Sequence, residues 1–188
     1  MLSATKVLKD EHRIIERALK ILELASDRLK KDQISPDVLN KLLDFIKFFA
    51  DKCHHGKEEE VLFPTLEAKG IPKEGGPIGV MLAEHEEGRG YVKALSEFVK
   101  RYCDGDKTAI DGIIANALSY TNLLAQHIQK EDNILYPMGE NFLSKKDHEE
   151  LIEKFEKIEE EKIGVGKHEK YIKLIEELKK EFEGSDNV

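Results

Sequence analysis

Four histidines and two glutamates are spaced along this chain in the manner of metal ligands. His12, His54 and Glu58 recur 73 residues later as His85, His127 and Glu131, and Pro64 recurs as Pro137. Each half thus carries one histidine after an acidic residue, Glu11-His12 or Glu84-His85, followed 42 residues on by a His-x-x-x-Glu pair. The stretch Cys53 to Pro64 also reads like Gln126 to Pro137, which marks an internal repeat. Four neutral imidazoles and two carboxylates suit iron, zinc or another first-row metal, whereas Mg and Ca would call for oxygen ligands. Six side chains cannot fill two octahedral ions, even if the carboxylates bridge and an oxo or hydroxo group joins them. Positions then remain open for an exogenous ligand.

The elements that must hold these groups are helices. Residues 4 to 30 place Val7, Leu8, Ile14, Ile15, Leu19, Leu22 and Leu29 at spacings of three and four, an amphipathic pattern. Ser35-Pro36 is an N-cap followed by proline at the first helical position, so a second helix runs from Pro36 to about Ala68. Pro64 should kink that helix or end its regular part, and Pro137 should do the same in the second half. Breakers between Gly70 and Gly79 separate the halves. A third helix is expected from about Val80 to Cys103, and a fourth from about Lys107 to Tyr136 with Asp106 as N-cap. Ser144 to Phe182 reads as two charged amphipathic helices broken at Gly164-Val165-Gly166.

Residues facing each other in an antiparallel helical hairpin are equidistant from its turn. The midpoint of His12 and His54 is residue 33, within the expected turn at 31–34, and that of His85 and His127 is residue 106, within the turn at 104–106. Positions i and i+4 share a helix face, so each His-x-x-x-Glu pair points one way. All six side chains should therefore converge near one end of a four-helix bundle. Buried together without a metal, such polar groups would each have to be paired or cost several kcal/mol.

Bulk properties narrow the function classes. The chain has 188 residues, 36% of them charged and 7% aromatic, no Trp, and a formal net charge of -8. That length supports one core with an appendage. No Lys/Arg cluster stands clear of acidic neighbours, which disfavours nucleic acid as a partner. Apolar runs are short and the N-terminus lacks a signal-peptide core, so no membrane association and a cytoplasmic location are expected. Cys53 and Cys103 fall at opposite ends of the expected bundle, roughly 25 Å apart by helix rise, and are read as free thiols.

On His12, His54-x-x-x-Glu58, His85, His127-x-x-x-Glu131, the following Leu62-Phe63-Pro64 and Leu135-Tyr136-Pro137, and the segment Gly75 to Arg89, the chain resembles the hemerythrin-like, or HHE cation-binding, family over roughly residues 5 to 140. The resemblance implies an all-α, up-down-up-down four-helix bundle at 1–143, built from repeats 1–70 and 71–143, with a C-terminal helical extension at 144–188. It further implies two iron ions, with both glutamates as bridges and the histidines as terminal ligands. Oxygen-carrying members of the family have a second histidine four residues after the third-helix histidine, where this chain has Arg89. Arginine will not ligate iron. The site is thus more similar to bacterial and archaeal hemerythrin-like proteins and to the di-iron domain of iron-sulfur centre repair proteins, and reversible oxygen carriage is not expected.

Four further residues are candidates for the surroundings of the metal. Arg89 is expected to orient a bridging glutamate or an anion, or to pair at the surface with Glu86 or Glu16. Glu16, at i+4 from His12, is either an outer partner or a plain helix-face acid. His55 lies about 100° round an α-helix from His54, off the ligand face unless the helix is distorted. Tyr120, two turns before His127, is placed to line the pocket. Cys53 is either redox-active beside the metal or simply buried. His148 and His168 have no repeat partner and stand outside the expected site.

The functional expectation leans to a non-haem di-iron binding or sensing protein over an enzyme, one that binds or senses oxygen, nitric oxide or peroxide, or handles iron under stress. Alternatives are a di-metal enzyme with peroxidase-, oxidase- or zinc-hydrolase-like activity, and a helical module that binds a protein partner through its C-terminal helices. The apolar stripes of those helices, including Phe155, Ile158, Ile175 and Leu178, are expected to pack on the chain's own bundle.

Overall fold

A computed structural model describes residues 3–31 and 33–184; Met1, Leu2, Asp32 of the first expected turn, and residues 185–188 lie outside the described residues. Six helices occupy the described chain and no strand is present among them. Helix α1 is Ala4–Lys30, capped by Ser3, whose side chain accepts from the Lys6 amide. Helix α2 runs unbroken from Pro36 to Ala68, with Ser35 as its N-cap. Helix α3 is Pro77–Cys103. Helix α4 opens as a 3-10 turn at Lys107–Ala109, capped by Asp106, and continues to Glu140. Helices α5, Lys145–Lys162, and α6, Lys167–Gly184, follow. None of the helices is long and apolar enough to cross a membrane, among the described residues.

Helices α1 to α4 pair around the bundle as two antiparallel hairpins, with Gly105 at φ 96° turning the chain between α3 and α4. One core cluster fills the turn end, around Leu22, Leu42, Phe45, Phe49 and Ile113. A second lies beyond the site, around Leu8, Leu62, Leu66 and Tyr136. The histidines are sandwiched between the two. Helix α6 lies along α1 and feeds Ile175, Leu178 and Phe182 into the first cluster, while α5 feeds Leu151, Phe155 and Ile158 into the second. The apolar stripes of the extension are buried on this chain, as their pattern predicts.

The two prolines do not end their helices. In α2 the turn before Pro64, Glu58–Leu62, is π-helical, and in α4 the same happens at Glu131–Leu135 before Pro137. A wide turn with i→i+5 bonding absorbs the bond that proline cannot make and the bulk of its ring. A longer π-helical stretch, Ile46–His55, carries His54 of the first ligand pair. Gly139 then allows the two post-proline segments to touch, since a Cβ there would stand 3.0 Å from Leu66.

Candidate metal centre

The six repeated residues meet, each between 0% and 1% exposed. On one side, donor atoms of His12, His54, Glu58 and Glu131 lie within 4.8 Å of one another; on the other, those of His55, Glu58, His85 and His127 do. Glu58 belongs to both groups, and Glu131 Oε2 lies 3.2 Å from Nε2 of both His12 and His127. The His85 and His127 Nε2 atoms are 3.0 Å apart.

Each repeated imidazole is aimed by a carboxylate behind it. Nδ1–H of His54 donates to Glu11 at 2.8 Å, that of His127 to Glu84 at 2.9 Å, that of His12 to Asp132 at 2.8 Å and that of His85 to Glu59 at 2.6 Å. This fixes the tautomer and turns Nε2 toward the interior, an arrangement characteristic of metal-ligating histidines. A cation then neutralises each carboxylate: Lys57 on Glu11 at 2.5 Å, Lys130 on Glu84, Arg13 on Asp132, and Arg89 on Glu59 at 2.7 Å. Glu11 and Glu84, Lys57 and Lys130, and Glu59 and Asp132 are all separated by the repeat of 73. In the sequence Glu11 and Glu84 stand out only as the acids before His12 and His85, and the other four look like ordinary helix-face charges, although the same shift carries all six.

Symmetry fails at the cations Arg13 and Arg89, whose counterparts are Glu86 and Glu16, and at two positions beside the donor atoms. His55 corresponds to Ile128, and Phe63 to Tyr136. His55 is buried and its ring stacks on His85 with centroids 3.8 Å apart and an interplanar angle of 15°. An α-helix would have turned it off the ligand face, but it ends the π-helical stretch, whose wider turns bring successive residues inward together. Expected only in the surroundings, His55 stands instead among the donor atoms. Tyr136 stacks on His12 and donates its hydroxyl proton to Glu58 Oε1 at 2.5 Å, whereas Phe63 lies over His85 without a hydroxyl.

The other expectations divide. Tyr120 is buried and lines a pocket with His55 and His85. Arg89 reaches Glu86 as expected, and also Asp51 at 2.8 Å and Glu59, so it steadies the carboxylate behind His85 and not a central glutamate. Glu16 turns outward to Arg13 at 3.2 Å and is absent from both donor groups. Cys53 is buried and Cys103 exposed, both free. His168, placed outside by sequence, donates to Glu11 at 3.1 Å and so joins the network behind His54. His148 accepts from the Ala4 amide at 3.2 Å, which satisfies an otherwise open donor at the start of α1.

Electrostatics favour cations at the centre. Burial and the facing Glu131 push the Glu58 carboxyl well above its ordinary range. Burial works in the same direction on Glu131, but His127 and His12 hold it well below. His12 is lifted to about 9 against burial, by Asp132 and Glu131, while burial and the neighbouring His55 press His85 down to about 3. His54 Nε2, Glu58 Oε2 and Glu131 Oε1 are buried without a hydrogen-bond partner, and Glu131 Oε2 faces only the inward nitrogens of His12 and His127. Unpaired acceptors clustered on the inner faces of bridging-type carboxylates are what metal ions would satisfy. The donor set fits a pair of first-row ions.

A description of the hemerythrin HHE cation binding domain matches residues 3–139. The chain is 25% identical over 179 residues to the uncharacterized protein Rv1995 of Mycobacterium tuberculosis and, at the same identity, to the uncharacterized protein Mb2018 of Mycobacterium bovis, covering 95% of this chain and 69% of each relative.

Proposed function

The chain belongs to the hemerythrin HHE cation-binding family, and from that premise we propose that it holds two iron ions and takes oxygen, nitric oxide or peroxide at them as a binding or sensing protein. The observation that carries this reading is the set of buried, partnerless donor atoms on Glu58, Glu131 and His54, surrounded by imidazoles whose Nδ1 atoms are already engaged. His12 and His54 would hold one ion, His85, His127 and His55 the other, with Glu58 and Glu131 between them. Iron bound there would supply open coordination positions and electrons for a small ligand.

The chain's own residues supply the rest. The four carboxylates behind the histidines hold each imidazole in its ligating tautomer, and each carboxylate is itself held in place by a cation. Tyr136 holds a proton at Glu58 Oε1 on the two-histidine side of the centre. The two core clusters exclude bulk water from both ends.

Anaerobic reconstitution with ferrous iron and elemental analysis test the reading. About two irons per chain are expected, with optical changes on adding oxygen, nitric oxide or peroxide, and a Glu58→Ala, Glu131→Ala chain that retains neither. Fewer than about one iron per chain after reconstitution would overturn it.

A further inference from the structure

Helices α2 and α3 leave a trough of about 350 Å³ between them, whose inner end is the stacked pair His55 and His85. That volume is within the range of small-molecule sites. The helices are antiparallel across the 69–76 connection, so residues whose numbers sum to about 140 face one another. His55 faces His85 by this rule, and further out Lys47 faces Lys93, with both lysines lining the trough. Along α3, eight residues separate His85 from Lys93, about 12 Å of helix rise. Between the two levels Gly88, Val92 and Tyr120 give apolar wall, and the Arg89–Asp51 ion pair crosses one side of it.

The charges along the trough are uneven. Asp51 is engaged by Arg89, which also holds Glu59 and Glu86. Lys47 and Lys93 have no ion-pair partner among the described residues. Of the two acids that line the trough, Asp51 is taken by Arg89, and Glu97 at the outer rim makes no ion pair with either lysine among the described residues. In a chain of formal net charge -8, two unpaired lysines facing each other over an apolar slot are complementary to one kind of molecule.

We propose that the trough binds an amphipathic carboxylate. Its charged end lies between Lys47 and Lys93, and its apolar body, about 12 Å long by helix rise, runs along Val92 and Tyr120 to end against His55 and His85. Occupancy closes this path from solvent to the two imidazoles, so it governs access of small ligands to the centre from that side. Binding of the carboxylate does not need the metal; only the gating of the centre rests on the function proposed above.

Calorimetric titration of octanoate, below its micelle concentration, into the metal-free and the metal-loaded chain tests the proposal, with 1-octanol as the uncharged control. One saturable site per chain is expected in both, tighter for octanoate than for octanol. K47Q/K93Q should weaken octanoate about tenfold and leave octanol unchanged, and V92W should abolish both. Absence of saturable binding, equal affinity for the two probes, or octanoate binding that survives K47Q/K93Q would overturn the proposal. A chain that binds octanoate but no iron would sink the metal reading and leave the trough assignment standing.

Discussion

Lys57 and Lys130 occupy the same place in the two repeats, yet replacing each with Met should have very different consequences. Lys57 is 2% exposed in its side chain and lies between Glu11 and Glu159, whereas Lys130 is 36% exposed and pairs with Glu84 alone. Removing one member of a buried pair strands the other, at about 3 to 5 kcal/mol. Glu11 keeps donors from His54 and His168, so the lower end applies to Lys57→Met. Lys130→Met falls in the range of exposed pairs, under about 1 kcal/mol. In a chain of this length the first change should lower Tm by roughly 10 °C and the second by no more than about 3 °C. Urea and thermal unfolding should be followed by circular dichroism after chelation, because bound metal adds its own stabilisation. Glu11→Gln combined with Lys57→Met should cost clearly less than the two single changes together. Equal losses from Lys57→Met and Lys130→Met, or a loss below about 1 kcal/mol from Lys57→Met, would refute the reasoning that burial by the C-terminal helices separates them.

Other outcomes follow from the same geometry. His55→Ala should weaken metal retention in competition with a chelator by at least about tenfold, while Glu16→Ala leaves it unchanged; equal retention by His55→Ala and the unaltered chain would remove His55 from the donor set. Burial pushes the Cys53 thiol up to about 12, so iodoacetamide at pH 8 should modify the native chain at exposed Cys103 only. Mass spectrometry showing two adducts before unfolding would contradict that. Hydrogen bonds from Lys69 and Ser144 hold the Asp147 carboxyl below its ordinary 3.8. Its stabilisation is therefore present above about pH 4 and lost as pH falls through the depressed native value. Asp147→Asn should unfold more readily than the unaltered chain at pH 7, with the gap closing in strong acid; a gap independent of pH would show that the charge is irrelevant.

The ligand positions were legible because a helix face is periodic and the repeat of 73 is unmasked by any insertion. Ser35-Pro36, Asp106 and the Gly164–Gly166 break were equally legible, since each is a local backbone requirement met by its own side chain or lack of one. The outer carboxylates were present in the same register but look like ordinary solvated acids. Their role appears only when helices from opposite halves bring Glu59 against His85 and Asp132 against His12.

Sequence by itself determined which residue types could hold a metal, that they lie on helices, and that paired helices turn at 31–34 and 104–106. Tertiary structure alone decided that His55 faces inward, because a shift from i→i+4 to i→i+5 bonding leaves no mark in hydrophobic periodicity. It also decided that His168 and Glu159 close over Glu11 and Lys57. Those contacts join residues more than 100 positions apart, and only the docking of α5 and α6 on the bundle, driven by burial of Phe155, Ile175 and Phe182, brings them within reach.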